Sequence, residues 1–305
     1  MNAEVKVFGW QGIKLQVPEE WELAAEKGGF TKGYIRLDDV TAPKLSMSWD
    51  TVKEDKAKTP REALKELKKE IKKRDKSVKF LREDAIKVCG HPSRYFHWKS
   101  LTEGYELFWY CPDSKRAFAS EFTFKPDEYW NLKPALDKVI ESIQCHSTDD
   151  TRVWTTLDLK LEVPTEFNLV ERSFYATRIH MLFSTREAYF IFDRVGFAQT
   201  ILTETYSDLQ DWLEKVYEPE LKRRFKGIKF GRIRSDKVFD HEGLTVHSSY
   251  KSGTLFGKKH DVESQVWFCQ QVNKIFAVTT VKELGKNGKL NKGLKLILSS
   301  VKCHD

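Results

Sequence analysis

Thiols and imidazoles recur at fixed intervals in this chain. Trp109-Tyr110-Cys111 returns as Trp267-Phe268-Cys269, and Cys145-His146 returns as Cys303-His304, both 158 residues later. His91 returns as His241 and His97 as His247, 150 residues later. Four of the five cysteines and six of the eight histidines are duplicated in this way. Three chemistries fit these residue types. Cys111–Cys145 and Cys269–Cys303 could each be a disulfide, unusual in a cytosolic protein outside hyperthermophiles. A composition with 63 Lys plus Glu against 8 Gln, 6 Asn and 3 Met leans toward such a source. The sets His91, Cys111, Cys145, His146 and His241, Cys269, Cys303, His304 offer Cys₂His₂ zinc ligation, at a spacing unlike that of a compact finger. The third reading is buried small thiols flanked by ordinary turn histidines. A nucleophile pair such as Cys111 with His91 would need a thiolate and an orienting group, and no oxyanion-hole motif accompanies it. Cys89 faces Phe239 in the repeat, which favours an apolar role. His97 and His247 fall in mid-strand, where a histidine is usually structural.

A second feature is charge. Between Lys222 and Lys237, Lys222, Arg223, Arg224, Lys226, Lys229, Arg232, Arg234 and Lys237 are basic and only Asp236 opposes them. Such a strip can hold a nucleic acid or another polyanion through salt-dependent phosphate contacts. It can equally be a solvated helix end followed by an edge strand guarded by lysines. Lys286, Lys289, Lys292 and Lys295 form a second basic run. No phosphate-binding loop and no placed pair of carboxylates is legible, and no cofactor is expected.

These residues are positioned by a tandem repeat. Lys14-Leu15-Gln16-Val17-Pro18 matches Lys160-Leu161-Glu162-Val163-Pro164, and residues 72–97 match 222–247 with 10 identities in 26 positions. The matches keep their order, so the chain divides into repeats over 1–148 and 149–305. In the first repeat, Ile13 to Val17, 33–37 and 44–49 alternate as strands. Thr59, Pro60 and Glu62 open an amphipathic helix over 60–74. Strands follow near 78–88, 93–100, 105–111 and 116–124, and a last helix spans about 127–144. In the second repeat Ser207 or Asp208 opens the first helix, and Ala188 to Phe192 is a buried central strand. Strand and helix lengths return Cys145-His146 to the end of the repeat that holds Cys111 and His91.

The expected fold is α+β: two tandem repeats, each a mainly antiparallel β-sheet covered by two helices. The strand ending in Val17-Pro18-Glu19-Glu20-Trp21 and in Val163-Pro164-Thr165-Glu166-Phe167, followed by helix, hairpins and closing helix, resembles the Mog/PsbP-like superfamily over both halves. That resemblance implies a non-enzymatic binding module; one relative binds a small GTPase and another a photosystem. It transfers no partner and no site residue.

The 305 residues carry a net charge of +7 and 39 aromatic side chains, 20 Phe, 10 Tyr and 9 Trp. That composition excludes a disordered chain. No apolar run approaches about 18 residues, and Met1 to Trp10 lacks the apolar core of a signal peptide. The expectation is a cytoplasmic, non-enzymatic protein with no membrane contact, whose partner is another protein, with nucleic acid as the alternative through residues 222–237.

Overall fold

The computed structural model describes residues 4–126, 128–253, 257–284 and 288–304, the side chains of 288–291 excepted. The chain forms two compact units, Met1–Glu162 and Val163–Asp305. The sequence repeat sets its join at 148/149; the first unit also takes in the segment up to Glu162.

The first unit begins with a hairpin of β1 (Val5–Trp10) and β2 (Ile13–Pro18). A seven-stranded sheet follows. Its strands are β3 (Glu22–Gly28), β4 (Lys32–Asp38), β5 (Pro43–Thr51), β6 (Lys79–Val88), β7 (His91–Lys99), β8 (Glu103–Cys111) and β9 (Arg116–Phe124). Their spatial order is β3-β4-β5-β9-β8-β7-β6, with every neighbouring pair antiparallel. Helix α1 (Pro60–Arg74) links β5 to β6, and α2 (Tyr129–Ser142) follows β9.

The repeat supplies a second hairpin, β10 (Thr151–Thr156) and β11 (Leu159–Pro164). The sheet of the second unit contains β12 (Asn168–Tyr175), β13 (Arg178–Ser184), β14 (Ala188–Gly196), β15 (Lys229–Val238), β16 (His241–Lys251), β17 (Lys259–Cys269) and β18 (Lys274–Glu283). Its order, β12-β13-β14-β18-β17-β16-β15, repeats that of the first sheet. The chain is therefore α+β, with two similar, mainly antiparallel halves.

Local chemistry accounts for most boundaries. Thr59 caps α1 in a reciprocal box with Glu62, and Pro60 opens the first turn. Ala63, Leu64 and Ile71 then bury one stripe of α1 against Phe96, Trp98 and Phe108 of β7 and β8. β14 reads as a continuous buried run because it lies between β13 and β18.

Three elements depart from the sequence reading. β1 and β3 are additional strands. β3 is rich in Ala, Glu and Lys, poor strand formers, and forms as an edge strand by pairing with β4 around a bulge between Leu23 and Ala25. The first helix of the second unit opens earlier than expected. Asp208 does cap α4 (Leu209–Trp212), accepting from the Asp211 N–H at 2.8 Å. A separate helical stretch precedes it, α3 (Ala198–Thr200) running into a π turn over Ile201–Thr205 and ending at extended Tyr206, and beyond α4 the chain passes through a second π turn, Leu213–Tyr217, into α5 (Glu218–Arg224). The closing helix α6 spans Gly288–Ser300. Among the described residues no helix is long and apolar enough to cross a membrane.

The two hairpins meet inside the first unit. Trp10 and Trp154, both fully buried, pack edge to face at 5.2 Å between ring centroids. The Gly9 N–H donates to Thr155 Oγ1 at 3.1 Å. A Cβ on Gly9 would lie 2.5 Å from the Val153 carbonyl oxygen, so this approach of two backbones requires glycine. Gly9→Ala is expected to lower the unfolding free energy by about 1–3 kcal/mol, the range for overpacking a core, read as a lower urea midpoint at unchanged slope. An unchanged midpoint would show that β10 does not hold β1.

Candidate functional site

Each sheet brings its duplicated thiols and imidazoles to one end. The β6–β7 turn is Cys89-Gly90, with φ of 51° and 78°, and the β15–β16 turn is Phe239-Asp240, with φ of 47° and 66°. Two left-handed residues make the tight hairpin whose twist matches antiparallel strands. His91 and His241 are the first residues after these turns. Cys111 and Cys269 end the neighbouring strands β8 and β17, and Cys145-His146 and Cys303-His304 follow the closing helices α2 and α6.

In the second unit, His241 Nε2 lies 3.1 Å from Cys303 Sγ. His304 Nδ1 lies 3.3 Å from Cys269 Sγ and 3.2 Å from Cys303 Sγ. One ligand atom from each of these four residues lies within 4.8 Å of all the others. In the first unit, His146 Nδ1 is 3.3 Å from Cys111 Sγ and 3.6 Å from Cys145 Sγ. Two overlapping sets meet the same 4.8 Å limit there: Cys89, His91, Cys145, His146 and His91, Cys111, Asp113, His146. Cys89 and Asp113 are the residues that sequence reasoning missed. Phe239, which stands at the position of Cys89 in the repeat, packs its ring on Trp267 at 4.8 Å. All five cysteines are free, and no bond joins Cys111 to Cys145 or Cys269 to Cys303.

The first cluster is electrostatically polarised. The Cys111 thiol is pulled down to about 4, chiefly by the hydrogen bond from Cys145, with Ser114 and the His91 charge adding, while burial opposes. The Ser114 N–H donates to Cys111 Sγ at 3.5 Å. Cys145 is pushed up by its hydrogen bond to Cys111 and by burial. In the second cluster burial pushes Cys303 up and His241 down, the latter with help from His304. Buried Arg116 braces the first end: it donates to the Gln11 carbonyl at 2.9 Å and the Cys145 carbonyl at 2.7 Å, and stacks on Phe30. His97 is held in mid-strand by Glu103 at 2.7 Å and by stacking on Tyr105, whereas His247 is exposed.

The basic segment is neutralised in part. Arg224 makes two hydrogen bonds of 2.7 Å to Glu171. Lys222 pairs with Glu218 at 3.4 Å and lies over the Phe230 ring. Lys229, Arg232 and Arg234 are exposed on β15, the edge strand. Arg223 lines a depression with Glu171, Arg178, His180 and Glu220, Lys226 lines a second, and Arg232 lines a third. Below the first depression, buried Asp193 accepts from Arg178 at 2.8 Å and lies 3.0 Å from His180 Nδ1. In the second basic run, the side chains of Lys286 and Lys289 lie outside the described residues.

The two sheets differ on the face that carries α1. Cross-strand register aligns Arg36, Ser46, Glu121 with Leu182, Ile191, Thr279. In the second unit Leu182, Ile191, Ile275, Ala277 and Val281 are buried with Trp212, Leu213, Tyr217, Leu221 and Phe225 of the helical segment 198–225. In the first unit α1 packs on β7 and β8. The remaining strip carries Tyr34, Arg36, Ser46, Ser48 and Glu121, with Ser48 exposed and the others half-buried. At its margin Glu106 is 4% exposed and sits across the β8–β9 pair from Glu121. Burial first, then the charge and hydrogen bond of Glu121, push the Glu106 carboxyl well above its ordinary range. The matching residues of the second unit, Ser264 and Thr279, share an uncharged hydrogen bond of 2.8 Å.

No family model and no curated protein matches the chain. Among solved structures it is similar to cyanobacterial PsbP (CyanoP) from Synechocystis sp. PCC 6803, at 11% identity and a TM-score of 0.37, covering 47% of this chain and 94% of that one. It is similar to the Ran-binding protein Mog1p of Saccharomyces cerevisiae, at 11% identity and a TM-score of 0.30, covering 46% and 87%. It is also similar to the immunity protein TplEi of the T6SS from Pseudomonas aeruginosa, at 13% identity and a TM-score of 0.31, covering 98% and 96%. These likenesses transfer no function.

A carboxyl whose pKa is raised on folding stabilises fully below its unfolded pKa, and that contribution is lost as pH rises through the folded value. The window for Glu106 therefore opens above the ordinary 4.5 and extends upward. Glu106→Gln keeps a neutral group of the same shape. It is expected to flatten the decline in urea midpoint as pH rises above about 5, leaving the variant more stable than the parent in alkali. Parallel pH profiles for the two proteins would show that Glu106 ionises normally.

Proposed function

We propose that this protein is a non-enzymatic binding module and that its partner presents a helix to the open strip of the first sheet. One observation carries this reading: the strip occupied by helical chain in the second unit bears Tyr34, Arg36, Ser46 and Ser48 in the first, where no segment of that kind covers it among the described residues. Small side chains let another backbone come close, and Tyr34, Arg36 and Glu121 add hydrogen-bonding and charged groups that fix register. The occupant is a helix because the same sheet face is already shaped for one in the repeat. The Cys111 thiolate supports no catalytic role, because the side chain is fully buried and a nucleophile must meet its substrate.

The test begins with a photo-crosslinking residue at Ser48 in the full chain, used to isolate the partner, followed by titration of the purified pair. Ser46→Arg with Ser48→Arg is expected to weaken binding at least tenfold, about 1.4 kcal/mol, without changing the melting temperature. A purified partner that binds parent and double variant equally would overturn the reading.

A further inference from the structure

We propose that each unit binds one zinc ion: the second through His241, Cys269, Cys303 and His304, the first through Cys89, His91, Cys145 and His146. This lies outside the docking strip and stands independently of it.

The geometry is that of a tetrahedral centre before metal enters. Zinc–sulfur bonds of about 2.3 Å and zinc–nitrogen bonds of about 2.0–2.1 Å place sulfur and nitrogen ligands about 3.5 Å apart along a tetrahedron edge. The sulfur–nitrogen separations in the second unit are 3.1, 3.3 and 3.2 Å. In the first unit Cys145 Sγ and His146 Nδ1 are 3.6 Å apart. Ordinary packing of thiols and imidazoles does not require four ligand atoms within 4.8 Å of one another, and here that happens in both units.

The nitrogen atoms are suited to the task. His241 turns Nε2 toward Cys303, and His304 turns Nδ1 toward both thiols. His91 Nε2 is buried and makes no hydrogen bond, facing Asp113 Oδ2 at 3.7 Å.

Charge and donor type select the ion. Two thiols give up two protons as Zn²⁺ binds, and the resulting Zn(Cys⁻)₂(His)₂ centre is neutral, which suits a half-buried site. Two sulfurs and two nitrogens in a tetrahedron favour zinc over the hard divalent cations, which take oxygen ligands. In the first unit Cys111, 3.3 Å from His146 Nδ1, stands as a third thiol beside the proposed set. The metal would tie the β6–β7 turn of the first sheet and the β15–β16 turn of the second to the residue pair that follows the closing helix, without any disulfide.

The full chain is stripped with a chelator under reducing conditions and titrated with Co²⁺, then Zn²⁺. Two equivalents of cobalt are expected to bind with release of about two protons per ion and with the visible d–d and thiolate charge-transfer bands of tetrahedral cobalt, and zinc is expected to displace both and abolish the bands without further proton release. Cys303→Ser and His241→Asn are each expected to leave one equivalent, as is Cys145→Ser, and Cys303→Ser with Cys145→Ser none. His304→Cys should keep two equivalents and strengthen the charge-transfer band, which a merely misfolded variant would not do. Cys89→Ser is expected to lose the first centre and Cys111→Ser to keep it; the reverse would overturn the assignment of Cys89. Two equivalents retained by Cys303→Ser would overturn the second centre. A denatured mass lower by about four hydrogens, or five free thiols with no cobalt spectrum, would overturn the proposal as a whole.

Discussion

The pairing of β5 with β9, repeated as β14 with β18, is the constraint on which each half depends. These strands are far apart in sequence, so a long loop must close before the pairing forms. Once formed, it places a three-stranded meander on one side and a four-stranded meander on the other. It also sends the crossover helices of both units to one face of their sheets. Period-two alternation then decides which side chains enter the core, because a one-residue slip would turn every core residue outward. The left-handed turns at Cys89 and Phe239, the ends of β8 and β17, and the segments after α2 and α6 all arrive at one end for the same reason.

On this shared frame the two units have diverged where the frame permits. The helical chain over the second sheet is longer and interrupted by π turns, and it buries Leu182, Ile191 and Val281. α1 is a single regular helix that covers β7 and β8. Polar residues follow the difference in cover. Where the second unit hydrogen-bonds Ser264, Thr279 and Tyr217 in a neutral chain, the first sets two carboxyls opposite each other beside its open strip. Where the first has exposed Ser48, the register of the second puts Asp193, buried and held by Arg178 and His180. A duplicated fold thus carries a protonation-sensitive margin in one copy and a closed ion network in the other.

The Cys/His ends were unusually legible. Duplication filters chemistry from background: a thiol that returns with the same neighbours after 158 residues is held by the fold, and element lengths show where it must lie. Duplication also hid Cys89 and Asp113, since neither returns in the repeat. The basic strip was legible only as composition. Glu171, the partner that neutralises Arg224, comes from a different strand, and no local pattern connects the two. Tertiary structure places Lys229, Arg232 and Arg234 exposed on the edge strand β15.

The sequence by itself determined the two repeats, the α+β class, α1 with its Thr59 cap, the buried run of β14 and the thiol–imidazole ends. Each rests on a local signal: a cap, a proline, an alternation or a recurrence. Only the tertiary structure decided β1 and β3, the separate helical stretch opening at Ala198, the pairing of Arg224 with Glu171 and the open strip of the first sheet. The physical reason is the same in each case. An edge strand exists because a neighbour offers hydrogen bonds, an arginine is neutralised by an acid distant in sequence, and a sheet face is open or covered according to where a crossover helix comes to rest.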